Sequence, residues 1–326
     1  MESYVFERIH ELLLAAKRPV FIADKGIDGD SLGSSLAMVD WMKSIGKEVP
    51  VFVSGEIPER YRFLPHLETC STDTSMLEHP DVDLVVSFDC SNAEFVRDLV
   101  ARCPNRPMVV NIDHHATNPR FGDVNQVIVG SPATAEVVYR FFRENGITPS
   151  RDAAVALLTG ICFDTTVFQN GATNEQALQA AAELIRYGAK TGEIVRALFM
   201  NRSLAALRLW GLVLERLEAH PDLDCVTTYL TRSDLDGSGI AEDEVYELKN
   251  FLALICDTDA VVMLKERAEG GTGVSLRSVK RDVGAVAASF PGGGGHTRSS
   301  GFVLPDDDIP TAKAKVLEAF AASVLN

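Results

Sequence analysis

The chain has 326 residues, 46% of them hydrophobic and 24% charged, and its formal net charge is −15. That is enough for roughly two ordinary domains with full apolar cores, and the composition is not that of a disordered chain. So acidic a chain lacks the dominant basic surface that a long duplex nucleic acid needs, yet it can take a small anionic substrate held by cations and a few local arginines.

Six cysteines (Cys70, Cys90, Cys103, Cys162, Cys225 and Cys256) are scattered without a CxxC pair. They read as reduced, mostly buried thiols, not as a disulfide frame or a zinc site. Glu2, Glu7 and Arg8 sit within an amphipathic pattern unlike a signal peptide. No apolar run reaches the ~20 residues of a membrane span. The expectation is a soluble cytoplasmic protein with no membrane partner.

Val5, Ile9, Leu12, Leu13 and Ala16 recur at helical spacing, so an amphipathic helix opens the chain and Pro19 stops it. Val20–Ala23 reads as a buried strand. It runs through Asp24-Lys25-Gly26-Ile27-Asp28-Gly29-Asp30 into a helix of small residues, with Gly29 and Gly33 suited to a tight strand-to-helix turn. Val49–Val53 is a second strand, Leu84–Phe88 a third, ending at Asp89, and Val109–Ile112 a fourth, ending at Asp113-His114-His115. Strand and helix in alternation predict an α/β domain with a mainly parallel sheet and flanking helices. Ligands in such sheets sit outside the carboxyl ends of the strands.

Ser131–Glu136 opens another helix, with Ser131 as its cap. An apolar helix over 152–162 runs into Asp164, and a helix from about 174 to 188 ends at Gly188. A Leu-, Ala- and Arg-rich helix from about 192 to 219 suits a connector between domains and could pair with its copy in a homodimer. After Pro221 the pattern becomes a smaller α/β domain. Its strands are Cys225–Leu230, Ala260–Leu264 and Val274–Ser278, the last two joined by the Gly-rich hairpin Glu269–Gly273. Helices are expected at about 242–253, 283–289 and 310–324. The domain division is therefore 1–190, a linker helix 191–220, and 221–326.

Asp24, Asp28, Asp30, Asp89, Asp113, His114, His115 and Asp164 all fall at strand or helix ends. Carboxylates gathered in one cleft repel unless cations neutralise them. An Asp/His set without thiolate favours Mn²⁺, with Mg²⁺ or Co²⁺ as alternatives, over structural zinc. Two such ions a few ångströms apart are the arrangement used for in-line phosphoryl displacement. One Asp alone on a turn would read as a cap; the joint occurrence points to a metal cleft.

These residues carry a family resemblance. Asp28-Gly29-Asp30-Ser31-Leu32-Gly33-Ser34, Asp89, Asp113-His114-His115 and Asp164 resemble the four motifs of the DHH phosphoesterases, and agreement extends to Asn118, Phe121–Asp123 and Ala133–Glu136. Gly292–His296 with Ser300-Gly301 looks like the family's C-terminal DHHA1 substrate-binding domain. Length and motif order point to the short, two-domain subgroup of nanoRNases, pAp phosphatases and cyclic-dinucleotide phosphodiesterases.

The resemblance implies two divalent cations. Asp89 would bridge them, Asp28 would ligate the first, and Asp30, His114 and Asp164 the second. Asp113 would orient His114, and His115 would face the scissile phosphate. One position departs: the family usually has His where this chain has Asp24, four residues before Asp28. Asp24 either ligates the first cation through oxygen or is a solvated turn residue. Thr165-Thr166 replaces the usual Thr-Gly, which should change local packing more than chemistry.

In the second domain, Gly293, Gly294 and Gly295 allow close backbone approach to a ligand, with His296 and Arg298 beside them. Arg277 is a phosphate clamp or, alternatively, a surface ion pair. The expected activity is hydrolysis of oligoribonucleotides of two to five residues, of pAp, or of both. The alternatives are a cyclic-dinucleotide or pNpN phosphodiesterase and, in another class, a nucleotide-binding sensor weakened at Asp24. An inorganic pyrophosphatase shares the metal motifs, but the Gly-rich C-terminal domain argues against it.

Overall fold

The computed structural model describes residues 2–200, 203–240 and 248–324. They fall into two compact units, Met1–Asn201 and Arg202–Asn326.

The N-terminal unit is built on a six-stranded parallel sheet of β1 (Arg18–Ala23), β2 (Val51–Phe52), β3 (Cys70–Ser71), β4 (Val82–Phe88), β5 (Met108–Asp113) and β6 (Val124–Val127), in the order β3-β2-β1-β4-β5-β6. The central strands are buried along their length because helices cover both faces. Phe21, Ala23, Val86, Phe88, Val110 and Ile112 face a core shared with α1 (Glu2–Ala15), α2 (Gly29–Ser44), α4 (Thr134–Glu144) and α5 (Arg151–Asp164). Val20, Ile22 and Val85 face a smaller core with Val96 and Leu99 of α3 (Ala93–Val100).

The chain leaves β1 toward β2 and β3, then returns to place β4 on the other side of β1. That reversal opens a crevice at the carboxyl ends of β1 and β4, where Asp24–Asp30 and Asp89 lie. α2 and α5 meet closely beneath it: a Cβ on Gly33 would lie 2.3 Å from the Ala156 carbonyl oxygen.

Two expected elements change. The strand over 49–53 is only Val51–Phe52, and β3 and β6 are short additional strands. After α6 (Glu175–Arg186), the single connector helix over 192–219 is two helices. α7 (Thr191–Val195), continued by a π-helical turn over Arg196–Met200, buries Ile194 and Leu198 in the N-terminal core. α8 (Leu204–Glu215) starts afresh because Ser203 accepts the Ala206 amide as its cap, and it buries Leu209 and Val213 in the other unit's core. The described residues therefore contain no continuous linker helix over 191–220.

The C-terminal unit is a six-stranded mixed sheet of β7 (Glu218–His220), β8 (Cys225–Leu230), β9 (Ala260–Glu266), β10 (Thr272–Ser278), β11 (Gly294–His296) and β12 (Ser299–Leu304), ordered β11-β12-β10-β9-β8-β7. Among the described residues only β8 and β9 pair parallel; the other pairs are antiparallel. One face packs on the helices Val283–Ala288 and Ile309–Val324, the other on α8 and the helix Leu248–Ile255. The start of the helix expected from 242 lies outside the described residues. All six cysteines are free. Among the described residues no single helix is long and apolar enough to cross a membrane.

Candidate metal centre

Each acidic group of the crevice is placed by a local rule. Asp28 is the N-cap of α2: its Oδ1 accepts the amides of Asp30 and Ser31, and Ser31 Oγ accepts the Asp28 amide in a capping box. Asp30, in the first turn, is fully buried and reaches across to α4. Its Oδ2 accepts the Thr134 amide at 2.6 Å and its Oδ1 the Ala135 amide at 2.8 Å, so it caps a helix that has no cap of its own. Gly160 of α5 makes room for it, since a Cβ there would lie 2.6 Å from Asp30 Oδ1.

Asp89 follows β4 with φ of 62°, a left-handed backbone that Asp tolerates better than most residues. Its Oδ1 accepts from Thr134 Oγ1 at 2.9 Å. Asp164 is the last residue of α5, and Asn170 Nδ2 donates to its carbonyl. Beyond it Thr166, Val167 and Phe168 are all left-handed, at φ of 49°, 55° and 63°. The Thr that replaces the family's usual Gly thus sits in a conformation glycine adopts without cost.

The imidazoles close the group. His114 Nδ1 faces the Ser131 carbonyl at 3.2 Å; a carbonyl only accepts, so Nδ1 carries the proton. His114 Nε2 is then buried with no hydrogen-bond partner, 3.1 Å from Asp164 Oδ2 and 3.6 Å from Asp89 Oδ1. His115 Nδ1 lies 2.8 Å from Asp113 Oδ1 and 3.6 Å from Asp89 Oδ1.

This corrects one expected role. Asp113 orients His115, not His114: its Oδ1 accepts from the His115 ring and from the backbone amides of His114 and His115, while the Ser131 carbonyl sets the His114 ring. Asn118 donates to Asp113 Oδ2, to Asn111 Oδ1 and to the Cys90 carbonyl.

The electrostatics follow from burying so many like charges. Burial first, then Asp164, pushes Asp28 and Asp30 up to about 7, and burial with Asp30 and Asp28 raises Asp89 well above the usual carboxylate range. Burial alone would lower His114; the close carboxylate of Asp164, with the charge of Asp30, outweighs it and carries the imidazole to about 10. For Asp113, burial is likewise outweighed, by His115 and Asn118, and its carboxyl is lowered. His115 is raised by Asp113.

Asp30, His114 and Asp164 present ligand atoms within 4.8 Å of one another, as do Asp89, His114 and His115. Asp24 and Asp28 fall in neither group. Asp24 Oδ2 accepts the Gly26 amide, closing its own turn, although its charge still reaches Asp28. The donor set fits divalent cations. A buried imidazole nitrogen without a hydrogen-bond partner faces the carboxylates of buried Asp89 and half-buried Asp164, whose charges repel, and a cation among them satisfies both.

The expected phosphate contacts belong to the C-terminal unit. Arg277 is half-buried on β10, opposite Ser299, and donates to the Leu276 carbonyl. Exposed Arg298 donates to the Arg281 carbonyl. Gly294, Gly295 and His296 form β11, with the His296 side chain outside the described residues. Gly293 is forced by packing, because a Cβ would lie 2.0 Å from the Ala287 carbonyl oxygen, whereas a Cβ on Gly294 would meet nothing within 4 Å.

Sequence reading assigned no individual role to Thr134, to the Ser131 carbonyl or to Asn118, although Asn118 and Ala133–Glu136 agree with the family pattern.

A parallel sheet with carboxylates and imidazoles at its strand ends, joined to a smaller mixed-sheet unit, defines a two-domain α/β protein with a candidate acidic metal centre. Residues 19–161 match the DHH family, N-terminal domain, and residues 224–322 match the DHHA1 domain. The bifunctional oligoribonuclease and PAP phosphatase NrnA of Thermus thermophilus is 34% identical over 314 residues, 95% of this chain and 92% of the relative. NrnA of Bacillus subtilis strain 168 is 25% identical over 277 residues, 84% of this chain and 85% of the relative. The chain therefore belongs to the DHH family. An exopolyphosphatase-related protein from Bacteroides fragilis shares the fold, at a TM-score of 0.90 and 23% identity over 98% of this chain and 96% of that one.

Proposed function

We propose that this chain is a divalent-metal-dependent phosphohydrolase that cleaves short oligoribonucleotides, pAp or both to mononucleotides. The observation that carries the reading is the His114 Nε2 atom, buried without a hydrogen-bond partner against Asp89 and Asp164. The likeness to the NrnA relatives supports the substrate class.

Asp28, Asp30, Asp89, His114 and Asp164 would hold two cations, with Mn²⁺ best suited to the mixed oxygen and imidazole donors. When bound, such cations supply charge neutralisation and an activated water for in-line attack on phosphorus. The remaining work is the chain's own. Thr134 and the α4 amides fix Asp89 and Asp30, and the Ser131 carbonyl fixes the His114 tautomer. His115, held by Asp113 and raised by it, is about a third exposed. It is suited to donate a proton to a phosphoryl or leaving oxygen. Arg277, the Gly293–Gly295 backbone, His296 and Arg298 would take the substrate's remaining phosphate and sugar.

The test is release of AMP from pApA and from pAp with Mn²⁺ and with Mg²⁺. Asp89→Ala should lose more than about 100-fold in turnover, because even groups that only support a metal ligand are commonly worth 10–100-fold. Tight nucleotide binding without turnover in the wild type would sink the enzyme reading in favour of a sensor. Asp24→His reports on the departing position: unchanged metal dependence and rate would leave Asp24 a turn residue.

A further inference from the structure

Tyr61 ends the short 3-10 turn Glu59–Tyr61 and is fully buried in the N-terminal unit. A buried phenol hydroxyl usually finds a hydrogen-bond partner, because leaving it unmade costs the desolvation of the group. The Tyr61 hydroxyl has none among the described residues.

Its surroundings indicate where the partner belongs. The ring meets Phe163 edge-to-face, with centroids 6.2 Å apart and planes at 69°. The Arg60 guanidinium lies 4.9 Å from the Tyr61 ring centroid. Phe163 in turn packs against Gly29, where an added Cβ would lie 2.8 Å from Phe163 Cβ. Gly29 and Phe163 are the chain neighbours of Asp28 and Asp164, so the packing carries Tyr61 to the Asp28 side of the carboxylate group. Burial raises the phenol above its ordinary value; the Arg60 guanidinium and the nearby Gly29 amide, both donors, oppose it, and the Asp28 charge adds to it. The oxygen keeps its proton and acts as a donor.

We propose that Tyr61 is a positioning residue of the metal centre, its hydroxyl donating a hydrogen bond into the oxygen shell on the Asp28 side. The acceptor, reached only when a cation is bound, is the outer oxygen of Asp28 or a water on that cation. Asp28 Oδ1 is already committed to the first amides of α2, so the orientation of the other oxygen needs a second donor. This is also the wall on which Asp24 replaces the imidazole that the family resemblance implies. The inference rests on the metal reading above.

Tyr61→Phe keeps the ring between Phe163 and Arg60 and removes only the hydroxyl. The measurements are the unfolding midpoint in EDTA and the dissociation constant of Mn²⁺ alone, by calorimetry, without substrate. The expected result is a midpoint in EDTA equal to or above that of wild type, since a buried hydroxyl without a partner is lost. It comes with an Mn²⁺ dissociation constant raised about tenfold, the usual scale for groups that support metal ligands. A dissociation constant within twofold of wild type overturns the proposal. So does a lower midpoint in EDTA, which would give the hydroxyl a purely structural partner. A wild-type protein that binds no Mn²⁺ brings down the metal reading itself, and that failure is distinct from either.

Discussion

Asp113 spends both carboxylate oxygens on its neighbours: Oδ1 accepts two backbone amides and the His115 ring, and Oδ2 accepts the Asn118 amide. A buried carboxylate so completely hydrogen-bonded stays ionised, which is why its carboxyl is lowered even at full burial. The charge is passed to His115, whose imidazole it raises. Asp113→Asn should therefore move the His115 pKa down, as expected when a close opposite charge is removed. It should also cut turnover of pApA by roughly 10–100-fold. Imidazole resonances of the metal-free protein, followed against pH, check the first part. If the His114 signal shifts and the His115 signal stays, the pairing inferred from the family resemblance is right and the observed Asp113–His115 geometry is wrong.

At the scale of elements, two adjacent glycines separate packing from binding. Gly293→Ala would drive a Cβ to 2.0 Å from the Ala287 carbonyl oxygen, so it should cost about 1–3 kcal/mol in stability, the usual range for overpacking. Gly294→Ala meets no atom within 4 Å and should fold like wild type while raising KM for pAp. Denaturant unfolding of both variants, with steady-state kinetics of the second, makes the comparison. An unchanged KM for Gly294→Ala would remove that strand from the substrate site.

The same scale explains what could be read from the chain alone. The central strands and their terminal acids were legible because burial and chemistry are local there: apolar β-branched residues ending in Asp or His. β3 and β6 were not, being two and four residues long and only partly apolar. The helix over 192–219 was misread because its apolar spacing runs on through Ser203, while the break depends on one side-chain cap and on two separate cores. Asn118, Thr134 and Tyr61 act through partners at least five residues away, and periodicity carries no signal of that.

For the whole molecule, the centre sets how stability depends on pH and metal. In the metal-free protein Asp28 and Asp30 hold their protons up to about 7, whereas in the unfolded chain an Asp releases its proton near 3.9. Between about pH 4 and 7 the folded state therefore binds more protons, so stability must fall as pH rises through that window. His114 acts in the same direction: raised to about 10, its contribution is complete below about 6.5 and is lost as pH climbs through the folded value. Asp113 acts oppositely, since its lowered carboxyl withdraws stability only as pH drops below the ordinary Asp range. In EDTA the unfolding midpoint should thus peak near pH 4 and decline toward pH 8. A loss of even about 2 kcal/mol corresponds to roughly 4–8 °C for a unit of this size. Saturating Mn²⁺ should reverse the decline, because the cation replaces the protons that hold the carboxylates together, and its affinity should weaken as pH falls through about 7. Thermal unfolding in EDTA and in Mn²⁺ between pH 5 and 8 tests both statements. A midpoint in EDTA that is flat or rises over that range would mean that the acidic groups do not converge as described.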